Sequence, residues 1–199
     1  IKVSNHNYKM ILLYYYLFIY NFTVITKNNK IWTKNFNFGF LNNTTENKFK
    51  NENNLEYSLD QILVSVGAKH SIYNVVQVLL QAGDEALIPV PYWVSYTAIV
   101  DLSDGKSVVI ETSKDNFKLT PELLKKHITS KTKLLFLNSP SNPSGQVYSK
   151  AELIDLANVL LNYPDIYILS DDIYEHIIWG ENKFDNILTA CQGVLSNDD

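Results

Sequence analysis

Asp171 stands one residue beyond the apolar run 166–169, and Tyr174 follows it by three positions. A carboxylate at the end of a buried strand needs a cationic or protonated partner. If a helical turn starts there, the Tyr174 hydroxyl faces the same crevice. Asn142 lies in residues 138–145, NSPSNPSG, directly after the apolar run 134–137. The following Pro143 biases Asn142 to extended backbone, and its amide offers a donor and an acceptor in one place. Gly67, Ala68 and Lys69 separate a short apolar run from an amphipathic segment. Free N–H groups at a helix start suit a phosphate, and Lys69 adds charge. The glycine spacing of a Walker loop is absent there. Trp93, after Val90-Pro91-Tyr92, offers a flat face for stacking. Each residue also has a plainer explanation. Asp171 can cap a helix over 173–179, Asn142 can form an Asx-type turn, and Trp93 and Tyr174 can simply pack.

These residues converge only if the elements behind them place them at one edge. Residues 62–64 read as a buried strand. Ile72, Val75, Val76, Leu79 and Leu80 form one face of a helix, with Gly83 as its left-handed stop. Residues 86–90 and 107–111 read as strands, and 92–102 as a weakly marked helix. Thr120-Pro121-Glu122 reads as a cap, a first-turn proline and an acid at the positive helix end. Residues 133–137 form a strand, and Ser149 to Glu152 has capping-box spacing. Leu153, Leu156, Ala157, Leu160 and Leu161 then form a stripe, and 166–169 is the next strand. Strand, helix and strand at this spacing predict parallel neighbours with a right-handed crossover. The alternation predicts an α/β sheet covered by helices on both faces. Ligands of such sheets bind beyond the carboxyl ends of the strands, where Asn142 and Asp171 both lie. One ligand satisfies all the signals together: it carries a phosphate, a flat ring, a basic ring nitrogen and an acceptor oxygen. Pyridoxal 5′-phosphate has these four features.

The 199 residues suffice for one domain with a core. A net charge of −4 argues against nucleic acid. The single cysteine, Cys191, excludes an internal disulfide, and no Cys/His cluster suggests a metal. Residues 1–57 hold 13 of the 22 asparagines, no proline and one glycine. A boundary is therefore expected near Asn47, with 1–47 a segment foreign to the domain and 48–199 the domain itself. Residues 10–26 carry no charge and sit at the lower limit of a membrane span. The bland alternative, a stretch belonging to no natural domain, is preferred, and the location expected is cytoplasmic.

From about Lys48 to Gly193 the sequence resembles the class I/II aminotransferases, the fold-type I pyridoxal-phosphate enzymes, and is most similar to their bacterial aspartate aminotransferase branch. The resemblance rests on VGAKHSIYN, AGDEALIPVPYWVSY, NFKLTPELL, NSPSNPSGQVYS and LSDDIYEH. It implies a three-layer sandwich on a mostly parallel sheet, the large cofactor-binding domain of that family, here incomplete and with exposed strand edges. It implies that Gly67, Ala68 and Lys69 hold the cofactor phosphate. Trp93 stacks on the ring and lines the amino-acid site. Asn142 and Tyr174 bond the phenolic oxygen, Asn142 also lies near the substrate carboxylate, and Asp171 pairs with the protonated ring nitrogen. Substrates would be an aspartate-like amino acid and a 2-oxo acid, and the family is usually homodimeric. Ala68 stands where glycine is usual, and Asp172 where glutamate is usual. The resemblance places the Schiff-base lysine beyond Asp199. The one lysine after Asp171, Lys183, stands too early and in a loop context, so these residues alone are expected not to turn over. Two competing expectations are a remnant without activity and a pyridoxal-phosphate lyase of the same fold.

Overall fold

The computed structural model of the chain describes residues 10–16, 20–25, 39–58 and 61–195. Seven strands among them form one sheet: β1 (Met10–Tyr16), β2 (Tyr20–Ile25), β3 (Ile62–Ser65), β4 (Glu85–Pro89), β5 (Lys106–Ile110), β6 (Thr132–Asn138) and β7 (Tyr167–Asp171). Their order is β3-β2-β1-β7-β6-β4-β5. The strands β5, β4, β6, β7 and β1 are parallel. Only β2 opposes its neighbours, and the two reversals return β3 to the direction of β7. The expected mostly parallel α/β sheet is therefore present.

Helices α1 (Gly39–Asn53), α2 (Ala68–Leu79), α3 (Ser95–Asp101), α4 (Pro121–His127), α5 (Lys150–Leu160) and α6 (Ile187–Leu195) cover it. Their starts follow local chemistry. Thr120 Oγ1 accepts the Leu123 N–H at 3.3 Å, ahead of a first-turn Pro121. Ser149 Oγ accepts the Glu152 N–H at 3.3 Å while Glu152 Oε2 accepts the Ser149 N–H at 2.7 Å, the reciprocal capping box read from the sequence.

Strand alternation divides the core in two. Ala86, Ile88, Leu134, Phe136, Tyr167 and Leu169 face α2 and α3. Leu87, Leu135, Leu137 and Ile168 face the opposite way, onto the layer holding α4, α5 and α6. The crossovers explain why the helices change face. From β4 the chain steps outward to β5 through α3. It then returns past β4 to β6 through α4 and continues to β7 through α5. Reversing direction while keeping right-handed crossovers moves the helices to the other face. That reversal opens a crevice at the carboxyl ends of β4 and β6.

Two expectations are corrected. Helix α2 ends at Leu79, the backbone of Leu80 is already extended, and Gly83 at φ 92° serves the next turn instead. Residues 173–176 form turns and no helix spans 173–179, so Asp171 caps none there. Helix α1 runs through Asn47 without a break. It buries Phe49 against Tyr57, edge to face at 5.2 Å between ring centroids, an anchor that its asparagine-rich sequence hides. Strand β7 is paired on both sides, with β6 and with β1. Leu13 of β1 stands opposite Asp171, and β2 joins β3. The uncharged stretch 10–26 thus contributes two strands where a single span was considered. Its residues 17–19 and 26 lie outside the described residues. Among the described residues no helix is long and apolar enough to cross a membrane.

Candidate functional site

Because β3, β4, β6 and β7 share one direction, the segments leaving their carboxyl ends meet. Asp171 is the last residue of β7 and is 5 % exposed. Its Oδ2 accepts the Tyr96 hydroxyl at 2.5 Å, and its Oδ1 takes only a long contact, 3.4 Å, from the Ile173 N–H. No lysine or histidine contacts this carboxylate among the described residues. Burial pushes its pKa up, and the bonds from Tyr96 and Ile173 pull it back only in part.

The loop after β6 is fixed to β7 by Asn138. Its Nδ2 donates to the Asp171 carbonyl at 2.6 Å, and its Oδ1 accepts the Asn142 N–H at 2.7 Å. Asn142 is half-buried, and its Nδ2 reaches the Tyr174 hydroxyl at 3.5 Å. An amide and a phenol from two different loops thus converge beside Asp171.

After β4, Trp93 lies edge to face on Tyr96, 5.7 Å between centroids at 89°. The Lys69 ammonium sits 5.1 Å from the Trp93 ring centroid, a cation–π approach. Lys69 opens α2, which is capped by Gly67 at φ 90°, ψ 152° with no side-chain cap. That backbone region is accessible essentially to glycine alone. It leaves the first-turn N–H groups of α2 free of side-chain acceptors, an anion-binding arrangement.

Five of the seven sequence-predicted residues join one chain of contacts: Lys69 to Trp93, Trp93 to Tyr96, Tyr96 to Asp171, Asp171 through Asn138 to Asn142, and Asn142 to Tyr174, while Gly67 and Ala68 start the helix that carries Lys69. Lys183 does not join it and lies exposed between β7 and α6. Sequence reasoning missed Tyr96 and Asn138, the two residues that connect the others. Their signal was position: Tyr96 falls three residues after Trp93, and Asn138 ends an apolar strand.

Asp172 points the other way, as strand alternation requires. It is buried, accepts from Ser170 Oγ at 2.7 Å and from Asn186 Nδ2, and burial pushes its pKa up to about 8. Glu175, also buried, pairs with Lys48 of α1 and accepts from Asn53 Nδ2 at 3.0 Å. Glu52, Glu175 and His176 bring potential ligand atoms within 4.8 Å of one another. The Lys48 ammonium contacts both glutamates, which makes the group an ion-pair network.

Chemically, this crevice offers a dry carboxylate oxygen, two converging hydrogen-bonding groups, an indole and an anion-binding helix start. Those features fit a phosphorylated heteroaromatic ring.

Comparison with known proteins agrees with that geometry. Residues 29–196 match the family model described as aminotransferase class I and II. The chain is 52 % identical over 145 residues to an aspartate/prephenate aminotransferase of Nitrosomonas europaea, covering 72 % of this chain and 36 % of that protein. It is 52 % identical over 148 residues to an aspartate aminotransferase of Bacillus sp. strain YM-2, covering 74 % and 38 %. Among solved structures, the aspartate aminotransferase of Rhizobium meliloti superposes with a TM-score of 0.75 at 43 % identity, over 77 % of this chain and 38 % of that one. The Thermus thermophilus enzyme with maleate gives 0.72 at 37 % identity, over 76 % and 39 %. The chain spans little more than a third of the length of these relatives. On the family match, the shared sequence and the shared sheet, the chain belongs to the class I and II aminotransferases.

Proposed function

We propose that the residues at this sheet end hold pyridoxal 5′-phosphate and serve amino-group transfer between an aspartate-like amino acid and a 2-oxo acid. The observation that carries this reading is the state of Asp171. A buried carboxylate with one oxygen nearly unengaged and no cation in contact is costly. A protonated ring nitrogen supplies the missing positive charge, and the anion holds the proton there. When bound, the cofactor supplies the electron sink for the bond broken at the amino acid's α-carbon. Asn142 and Tyr174 then donate to its phenolic oxygen, and the residues from Gly67 to Lys69 take its phosphate. Trp93 stacks on the ring and, with Asn142, lines the amino-acid side.

The substrate class is supported by the relatives' names, aspartate and prephenate, and by the maleate, a four-carbon dicarboxylate, in one solved relative. All 17 basic residues of this chain are lysines, so these residues provide no guanidinium fork for a substrate carboxylate. No lysine of β7 or the turn after it reaches the crevice. The 199 residues are accordingly expected to bind the cofactor without covalent attachment and without turnover.

Titration with pyridoxamine 5′-phosphate tests this, because that amine form needs no anchoring lysine. Saturable binding, much weaker for pyridoxamine lacking the phosphate, is expected, with no amino transfer from aspartate to a 2-oxo acid. Absence of saturable binding would overturn the cofactor assignment, and turnover would overturn the expected inactivity.

A further inference from the structure

We infer that Tyr96 is a positioning residue of this site, which by pinning Asp171 Oδ2 presents Oδ1 as the oxygen that meets the ring nitrogen. The inference rests on the proposed function and deepens it.

The geometry separates the two carboxylate oxygens. Oδ2 is occupied at 2.5 Å, while Oδ1 keeps only the 3.4 Å contact with the Ile173 N–H. A carboxylate can accept about four hydrogen bonds, so Oδ1 retains open acceptor capacity. A half-turn about χ2 exchanges two equivalent oxygens, but any intermediate rotation breaks the short bond to Tyr96. That bond therefore fixes the carboxylate plane and leaves the second oxygen, Oδ1 here, with open acceptor capacity.

Tyr96 is itself immobilised. It is 2 % exposed, and its N–H donates to the Trp93 carbonyl at 3.0 Å. Its ring stands edge to face on Trp93 and lies tilted 32° over Phe136, 4.7 Å between centroids. One side chain thus ties the stacking indole to the carboxylate, so the planes that grip the ring and the oxygen that meets its nitrogen move together. The hydroxyl also opposes protonation of Asp171 by burial.

The other groups facing Asp171 are few. Among the described residues Asp172 comes from its own segment and β6 contributes the neutral Asn138. Tyr96 is therefore the one side-chain hydroxyl bonded to the carboxylate among the described residues.

The test compares the unaltered 199-residue chain with Tyr96→Phe, titrating each with pyridoxamine 5′-phosphate at a series of pH values over which the chain stays folded. Loss of a hydrogen bond to a charged group in a dry site is expected to weaken binding about ten- to hundredfold near neutrality. The pH profile separates positioning from packing. The bound pair holds one proton between the carboxylate and the ring nitrogen, so affinity is greatest between the pKa of the free Asp171 carboxyl and that of the free ring nitrogen and falls on either side. Without Tyr96 the carboxyl is the weaker acid, and the limb of the profile set by Asp171 moves to higher pH. Trp93→Phe, which leaves the Asp171 bond intact, weakens binding with no such movement. Unchanged binding by Tyr96→Phe, or the same loss at every pH, overturns the inference.

A ligand-free measurement keeps the two ideas distinguishable. The 13C carboxyl shift of Asp171, followed against pH without ligand, titrates higher in Tyr96→Phe. If that shift moves but the unaltered chain binds no pyridoxamine 5′-phosphate, the coupling stands and the cofactor assignment fails. If the shift does not move, the coupling itself is wrong.

Discussion

Asn138 Nδ2 donates to the Asp171 carbonyl at 2.6 Å, and through this bond the loop after β6 is referenced to the end of β7. The same side chain fixes the Asn142 backbone at 2.7 Å. Two loops separated by helix α5 are thereby held as one rigid edge. Replacing Asn138 by Leu leaves both partners without their bond. Each unsatisfied group costs about 1–3 kcal/mol where it is shielded from water. Urea unfolding of Asn138→Leu should show a loss in that range, with weaker pyridoxamine 5′-phosphate binding than in the unaltered chain.

Helix α1 is tied to the turn carrying Tyr174 by the buried Lys48–Glu175 pair, which Asn53 joins from both sides. Removing one partner strands a buried charge. Lys48→Met is expected to cost about 3–5 kcal/mol, and the double change Lys48→Met with Glu175→Leu to recover most of it. A double-mutant cycle by urea unfolding measures the coupling, and independent additive losses would argue against the pair.

Asp172 sets a pH dependence. Its carboxyl titrates near 8 in the folded chain because burial disfavours the anion, against about 4 for an unfolded aspartate. The unfolded state therefore releases its proton first as pH rises. The stability contribution is complete below about pH 4, declines by up to ~1.4 kcal/mol per unit, and is gone by about pH 8. Asp172→Asn should flatten the decline in unfolding free energy between pH 5 and 8.

The pairing of β1 between β7 and β2 gives Leu13 a central place in the sheet, opposite both Asp171 and Thr23. Proline lacks the ladder N–H and is confined to sheet edges and bulges. Leu13→Pro should lower the melting temperature sharply. An unchanged melt would mean that residues 10–16 do not lie inside the sheet.

Much of the frame was legible in the sequence. The stripe of α2, the first-turn Pro121 and the capping box at Ser149 are local signals, and local energetics decided those elements. The strands β4, β6 and β7 announced themselves as apolar runs because both faces are buried. The illegible parts were tertiary. Helix α1 has little amphipathic pattern and is held by Phe49 and Lys48 reaching distant partners. The place of β1 and β2 inside the sheet depends on pairing with strands far along the chain. At the site, Asp171, Asn142, Tyr174, Trp93 and Lys69 were readable as types at strand ends. Tyr96 and Asn138 were not, because a buried tyrosine or a strand-end asparagine acquires meaning only from what it touches.

The central claim is that Asp171 is the anionic partner of a bound pyridinium nitrogen. The most direct measurement is the affinity of the purified chain for pyridoxamine 5′-phosphate beside that of Asp171→Asn, an isostere that keeps the shape and removes the charge. The account predicts saturable binding by the unaltered chain and a loss of about a hundredfold or more in the variant, as for a broken buried charge pair. Equal affinities in the two proteins would contradict it.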